Sequence, residues 1–344
     1  MEINLDTLVK YRDDGWLLSQ NHPTLPLIIW NYSQTTQYEN YWDEITLSCR
    51  GLVTNDKGNI VARGFNKFFN IEEGKFEPTE NFEVWEKMDG SLLLVFWYEG
   101  QWVVATRGSF TSDQSIKGIE LLKKYNTDIM FRHLTFCFEI LFPQNRVVVD
   151  YGDYEGLVLL GTFDKNGKEY DVEMWREYGF DVVKKYDGIK DFKELKAMVK
   201  DDQEGFVVKF TNGDRVKIKG VEYLRHHKIM TNPSTTAVWE CLKNGDDIET
   251  LLKDVPDEFY KKIKDYVRDL RYAHFQISER AGKLHDGFRY GKYGDVDPEP
   301  SKKEFAEFVF KQQKVLQPVM FAMWDKKNYD EIIWRIIRPE FKKL

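Results

Sequence analysis

Apolar residues recur with a period of two through roughly the first two thirds of this 344-residue chain and with helical spacing after that. The alternating run Phe82-Glu83-Val84-Trp85 leads to Lys87, and the apolar run Leu92 to Tyr98 follows at once. Leu92 to Tyr98 and Gln101 to Arg107 read as a hairpin around Glu99-Gly100, and 51–54 with 59–63 as another around Asn55-Asp56-Lys57-Gly58. In Thr135 to Phe142, alternation puts Phe136, Phe138, Ile140 and Phe142 on one face and Cys137, Glu139 and Leu141 on the other. Leu157 to Thr162 predicts a buried strand, and 204–210 with 215–219 a further pair around Asn212-Gly213. Ser115 to Asn126 has helical spacing with Ile116, Ile119, Leu121 and Leu122 to one side, and 172–179 and 191–200 read as surface helices. The first residues, to about Gly51, give no clear pattern.

Beyond Lys228 the rhythm becomes helical. Ser234 is a good cap for a helix to Lys243, and Phe259, Ile263, Tyr266, Val267, Leu270 and Ile277 mark one face of a long helix. Residues 304–315 and 329–337 predict two more, and the loop 285–300 separates two of these helices. The expected fold is therefore α+β: a domain of antiparallel sheets with flanking helices over 1–230, and an all-helical domain over 231–344.

Composition narrows the class. A hydrophobic fraction of 42% with 15% aromatics implies packed cores. No apolar run approaches the length of a membrane-spanning helix, and the acidic start lacks the features of a signal peptide, so a cytoplasmic protein is expected. Cys49, Cys137 and Cys241 have no metal-ligand spacing, which fits a reducing compartment. The net charge of -7 excludes a general nucleic-acid coat but allows a local basic groove, for which Arg215, Lys217, Lys219, Arg225, His226, His227 and Lys228 qualify.

Several charged side chains stand where folding alone does not ask for them. Lys87, followed by Asp89, Gly90 and Ser91, ends one predicted strand. It is either a lysine at the mouth of an Asp-Gly hairpin or a desolvated amine that acts as a nucleophile. Lys67 lies among Phe65, Phe68 and Phe69, and a core strand with the lysine reaching out to solvent is the plain reading. Glu139 in mid-strand needs a partner, such as Arg146, a metal or a ribose. Arg215, Lys217 and Lys219 share one face of a strand, where they either await an anion or protect a solvated edge.

Read together, Ser48-Cys49-Arg50-Gly51, Lys67-Phe68-Phe69-Asn70, Lys87-Met88-Asp89-Gly90, Arg107, Phe138-Glu139, Pro143 to Val148, Glu204 to Lys209 and Val216-Lys217-Ile218-Lys219 resemble the phage RNA ligase 1 family of covalent nucleotidyltransferases. The likeness runs from about Arg50 to Lys219, with Arg107 where a family lysine is expected. It implies an N-terminal nucleotidyltransferase domain and a C-terminal domain for substrate specificity. The implied activity joins 5′-phosphate and 3′-hydroxyl RNA ends through a lysyl-AMP on Lys87 and an adenylylated RNA end, in RNA or tRNA repair. ATP and Mg²⁺, with Mn²⁺ able to substitute, would be the cofactors. Single-stranded or nicked RNA would be the partner of a monomer needing no membrane and no obligatory protein. By the family pattern Lys217 and Lys219 hold the α-phosphate, Arg50, Lys67 and Arg107 bind phosphates or ribose, and Glu139, Glu204 and Asp89 hold the metal. The adenine is expected beside Glu86, read partly by backbone groups, with an aromatic such as Phe163 stacked on it, and Gly90 and Gly205 are expected among the cofactor-binding residues. A DNA ligase, a GTP-dependent capping enzyme and a non-catalytic RNA-binding protein of the same fold are the alternatives.

Overall fold

The computed structural model describes residues 3–221, 223–224, 234–252, 257–290 and 300–340. Arg225, His226, His227 and Lys228 of the basic cluster, the break Thr231 to Pro233, the side chain of Phe259 and residues 291–299 of the expected loop lie outside them. Contacts gather the chain into two units, Met1–Met230 and Thr231–Leu344. Among the described residues no helix is long and apolar enough to cross a membrane.

The first unit holds three sheets. The unpatterned N-terminal stretch builds most of the first, in which β1 (Leu17–Asn21), β2 (Leu27–Tyr32), β3 (Arg50–Asn55) and β4 (Ile60–Ala62) run antiparallel in sequence order. Helices Leu5–Asp13, Gln34–Glu39 and Glu44–Ser48 flank it, the last two capped by Ser33 and Asp43. Their polar sequences carry little periodicity, which is why the stretch reads poorly from sequence.

A five-stranded sheet has the order β13-β6-β14-β15-β5, from β5 (Phe69–Asn70), β6 (Phe82–Lys87), β13 (Lys185–Tyr186), β14 (Gly205–Phe210) and β15 (Arg215–Lys219). Strand alternation buries Val84, Phe206, Val208, Phe210, Val216 and Ile218 on one face, together with Leu195. Each such side chain stabilises by roughly 1.5–3 kcal/mol relative to exposure. The opposite face carries mostly charged residues together with Trp85, Gly205 and Val207, and it forms the floor of the site.

The six-stranded sheet runs β11-β10-β9-β7-β8, from β7 (Ser91–Tyr98), β8 (Gln101–Thr106), β9 (Leu134–Leu141), β10 (Gly156–Asp164) and β11 (Glu169–Tyr170), with β12 (Asp181–Val182) beside β10. Both predicted hairpins, 51–63 and 92–107, form. Positive φ at Glu99 and Gly100 closes the second turn. Phe136, Phe138 and Ile140 join Leu93, Val95 and Trp175 on one face, as alternation requires.

Four helix expectations change. The helix near 115 is Asp113–Leu122, and it buries Ser115, Gly118, Leu121 and Leu122 while Ile116 and Ile119 are exposed. Close approach explains this, since a Cβ on Gly118 would stand 2.5 Å from Leu93 Cδ1. The segments 172–179 and 191–200 are single turns, Glu173–Arg176 and Phe192–Glu194 with Leu195–Met198, held by buried Trp175 and Leu195. The helix expected over 304–315 ends at Val309.

The second unit contains only helices among its described residues: Thr235–Asn244, Ile248–Leu252, Asp257–Arg289, Lys302–Val309, Gln317–Trp324 and Asp330–Ile336. Ser234 caps the first by accepting from the Ala237 N–H. Ala281 and Phe288 of the long helix pack with Phe305, Val319, Met320 and Ile333.

Candidate active site

Lys87 is the last residue of β6 and Ser91 the first of β7, yet those strands belong to different sheets. The Asp-Gly hairpin is thus ruled out, and 87–91 is a crossover between two sheets. The crossing is tight: a Cβ on Gly90 would lie 2.5 Å from the Ile140 carbonyl oxygen and 2.7 Å from Leu141 Cδ2. The Gly90 N–H donates to Glu139 Oε1 at 3.0 Å.

Asp89 fixes this crossover. Its Oδ2 accepts from the N–H groups of Val148 and Val149 at 2.8 and 2.7 Å, and its Oδ1 from the Tyr223 hydroxyl at 2.8 Å. Its own N–H donates to the Tyr151 hydroxyl. A buried carboxylate so engaged is a structural clamp. Of the residues expected to hold the metal, Asp89 is engaged in these bonds, and among the described residues no group of three or more acids, histidines or cysteines is placed to hold a metal ion.

Register turns the exposed face of the five-stranded sheet into a three-by-three array. Lys87, Gly205 and Lys219 form the first row, Trp85, Val207 and Lys217 the second, and Glu83, Lys209 and Arg215 the third. The outer rows are about 13 Å apart at roughly 3.3 Å per residue. Gly205 has φ +149°, and a Cβ there would fall 1.9 Å from the Ile218 carbonyl oxygen. The preceding residue, Glu204, brings its carboxylate between the two lysines, with Oε2 at 2.8 Å from Lys87 Nζ and Oε1 at 3.3 Å from Lys219 Nζ. The third row is not a bare strip of cations. Arg215 and Lys209 both pair with Glu169, and Glu83 pairs with Lys185.

Above this array the two sheets enclose a cleft of about 380 Å³, to which Arg50, Trp85, Glu86, Lys87, Glu139 and Val207 contribute. Leu160 and Tyr170 also line it, whereas Phe163, the expected stacking ring, is buried edge-on against Phe65 at 4.8 Å. The Glu86 N–H is taken by the Lys184 carbonyl. Arg50 Nη1 is buried without a hydrogen-bond partner. Burial pushes the Glu139 carboxyl up to about 7, against the pull of Lys87 and with the repulsion of Glu204 added. Arg146, offered as its partner, instead pairs with Asp150.

Lys67 is buried rather than reaching into solvent, with its ammonium 5.3–5.4 Å from the ring centres of Tyr32, Trp42 and Phe69. Arg107 Nη1 donates to the Tyr32 hydroxyl at 3.0 Å. Tyr32, Trp42, Tyr151 and Tyr223 had no assigned role from sequence. For Tyr32 and Trp42 the available signal is the aromatic-rich run of the sequence from Trp30 to Trp42.

The cleft therefore combines a lysine amine held by a carboxylate, flanking cations, a donor without a partner and apolar wall residues, a set able to hold an anion beside an apolar group. A model of the RNA ligase family matches residues 48–231, the span that carries this cleft. A protein of Autographa californica nuclear polyhedrosis virus named as a bifunctional polynucleotide kinase/RNA ligase is 29% identical over 243 residues, covering 61% of this chain and 34% of that protein. One of Thermovibrio ammonificans named as an RNA ligase is 30% identical over 203 residues, 53% of each. The chain thus spans between a third and about half the length of these relatives. Among solved structures an archaeal ATP-dependent RNA ligase is similar, at 14% identity, 94% coverage of this chain, 96% of that one and a TM-score of 0.49. With the family match extending over more than half of its length, and with the cleft inside it, the chain belongs to the RNA ligase family.

Proposed function

We propose that this protein is an ATP-dependent RNA ligase that joins a 5′-phosphate to a 3′-hydroxyl through an adenylate on Lys87. The observation that carries the reading is the Lys87–Glu204–Lys219 arrangement, whose Lys87 lines a cleft of mixed charged and apolar side chains. Glu204 Oε2 is the positioned acceptor for the proton that the amine loses before its lone pair can bond to phosphorus. The N–P bond forms as the bond from the α-phosphorus to the bridging oxygen breaks, and pyrophosphate leaves with that electron pair. Lys217 and Lys219, on one strand face, meet the charge that builds on the α-phosphate, and Arg50 offers its unpartnered N–H to a phosphate or ribose oxygen. Leu160 and Val207, with Trp85 and Tyr170, form apolar walls for the adenine beside Glu86.

In the later steps the RNA 5′-phosphate oxygen attacks the adenylate phosphorus and frees Lys87, and a 3′-hydroxyl then displaces AMP. Arg107 and Lys67, gathered around Tyr32, are assigned to phosphate contacts in this sequence. Glu139 and Glu204 fit a hydrated divalent ion, because both are buried and Glu204 raises the cost of the Glu139 charge. Bound there, Mg²⁺ or Mn²⁺ supplies charge neutralisation at phosphorus. The helical unit, by its place after the catalytic unit, is assigned to choosing the RNA, with tRNA or general RNA repair as the setting.

Intact mass of the purified chain before and after ATP with Mg²⁺ tests the reading. A gain of one adenylyl group, lost again with pyrophosphate and absent in Lys87→Ala, is expected; no gain in any divalent metal overturns it. GTP in place of ATP separates a capping enzyme, and DNA strands a DNA ligase.

A further inference from the structure

A second pocket, of about 490 Å³, opens beside the nucleotide cleft and shares Phe65, Phe68, Glu169 and Arg215 with it. It is framed by two hairpin turns, 164–168 and 211–214, and by the extended segment 63–69. Four of its six charged lining residues are cations, Arg63, Lys67, Lys75 and Arg215, in a chain whose net charge is -7. Both acids are committed. Glu169 holds Arg215 and Lys209, and Asp214 Oδ2 accepts from the Glu77 N–H and from Asn212 Nδ2. Burial lowers the pKa of Arg63 and of Lys75, with Lys67 adding repulsion at Lys75 and Glu73 opposing it. An anion in this pocket relieves that cost.

The pocket also offers ring surface. Phe65 and Phe68 are only half-buried, Arg50 stacks over Phe68 at 5.5 Å and Arg215 over Phe65 at 5.1 Å. Cations along a concave wall with interleaved rings suit an extended sugar-phosphate chain with unstacked bases. Inorganic phosphate or pyrophosphate has no base to place on these rings.

We infer that this pocket is the docking site for the single-stranded RNA segment next to the reacting end, with Arg63 and Lys75 holding its phosphates and Phe65 and Phe68 its bases. The shared wall, Glu169–Arg215 with Phe65 and Phe68, then separates the strand from the nucleotide and brings both to one cleft. This rests on the ligase reading.

The test uses the full chain and a fluorescent single-stranded RNA with hydroxyls at both ends, which binds without being joined. Anisotropy at several salt concentrations compares wild type with the double variant Arg63→Glu/Lys75→Glu, and AMP uptake from ATP is followed in parallel. The expected result is at least a tenfold loss of RNA affinity with AMP uptake unchanged. The neutral pair Arg63→Gln/Lys75→Gln should reduce the slope of log K against log salt by about 1.4, at roughly 0.7 per cation removed. It also guards against misfolding of the charge-reversed protein. A matched DNA strand with the same dependence on both residues supports a backbone-reading pocket. RNA affinity unchanged in the double variants overturns the inference, as does parallel loss of AMP uptake and RNA binding in both pairs. If wild type takes up no AMP while RNA binding still depends on Arg63 and Lys75, the ligase reading fails and the pocket stands.

Discussion

Glu204 holds two lysines from different strands at once, Lys87 through Oε2 at 2.8 Å and Lys219 through Oε1 at 3.3 Å. Its side chain is only 4% exposed, so removing its charge leaves two cations facing each other with little water. Glu204→Gln should therefore cost about 3 kcal/mol of stability and slow AMP uptake at least a hundredfold. Lys87→Met should abolish uptake but soften the stability loss when combined with Glu204→Gln. A double-mutant cycle in urea should give a coupling of about 1–3 kcal/mol between the two residues. Additive losses would mean that the contact does not hold the site together.

Gly205 lies between the same lysines in the sheet, and its backbone lets β14 and β15 meet at that point. With φ +149° and a Cβ position 1.9 Å from the Ile218 carbonyl oxygen, alanine cannot be placed without moving a strand. Gly205→Ala should cost at least about 3 kcal/mol. Over a unit of this size the melting temperature should fall by roughly 6–12 °C. Gly213→Ala is the control. Its φ is also positive but nothing stands near its Cβ position, so its loss should be much smaller, near 1 kcal/mol, as read by thermal unfolding.

Strand alternation made β9, β14 and β15 legible, because a buried face imposes a period of two on the sequence itself. It also placed Glu139 opposite Phe136, Phe138 and Ile140. What it could not reveal is which sheet each strand joins. The run from Trp85 to Leu92 looks like a hairpin because its local residues suit one, and only the packing of Gly90 on Ile140 makes it a crossover. The cage around Lys67 and the Tyr223–Asp89 bond link residues far apart in the chain, the latter separated by 134 positions. Such contacts leave no periodic trace. Ile116 and Ile119 show the converse: the helical spacing is there and the helix forms, but glycine at 118 sets which face approaches the sheet.

Asp43 predicts the acid limb of stability for the N-terminal sheet. Burial pushes its carboxyl up, but donation from the Thr46 N–H, the Tyr11 hydroxyl and the Thr46 hydroxyl outweighs this, and the net shift is downward. A folded pKa below the unfolded one gives stability that is complete above the unfolded value, near 3.8, and fades as pH falls through the folded value. Asp43→Ala should accordingly cost about 1–2 kcal/mol at pH 7, as for loss of a helix cap. The gap between the two proteins should be smaller at a pH below 3.8 than at pH 7, and should keep narrowing as pH falls through the folded value. Urea titrations at the two pH values measure it, and a gap independent of pH would show that the carboxylate charge contributes nothing.

Asp89 and Glu139 lie on either side of Gly90 in space, yet their surroundings assign them opposite tasks. Asp89 spends both oxygens on Val148, Val149 and Tyr223, bonds that tie the crossover to the segment after β9. Glu139 uses one oxygen on the Gly90 N–H and sits beside Lys87 and Glu204 on the wall of the cleft. Asp89→Asn keeps an acceptor for the backbone but loses charge-assisted bonds, and should cost about 1–3 kcal/mol of stability. The Mg²⁺ concentration for half-maximal AMP uptake should stay within twofold. Glu139→Gln removes charge where the divalent ion is proposed to sit, relieves the desolvation of a buried carboxylate, and should raise that concentration at least tenfold without loss of stability. Titrating Mg²⁺ against AMP uptake in both variants separates the roles. A tenfold shift in Asp89→Asn with none in Glu139→Gln would return the metal to Asp89 and overturn this division of roles.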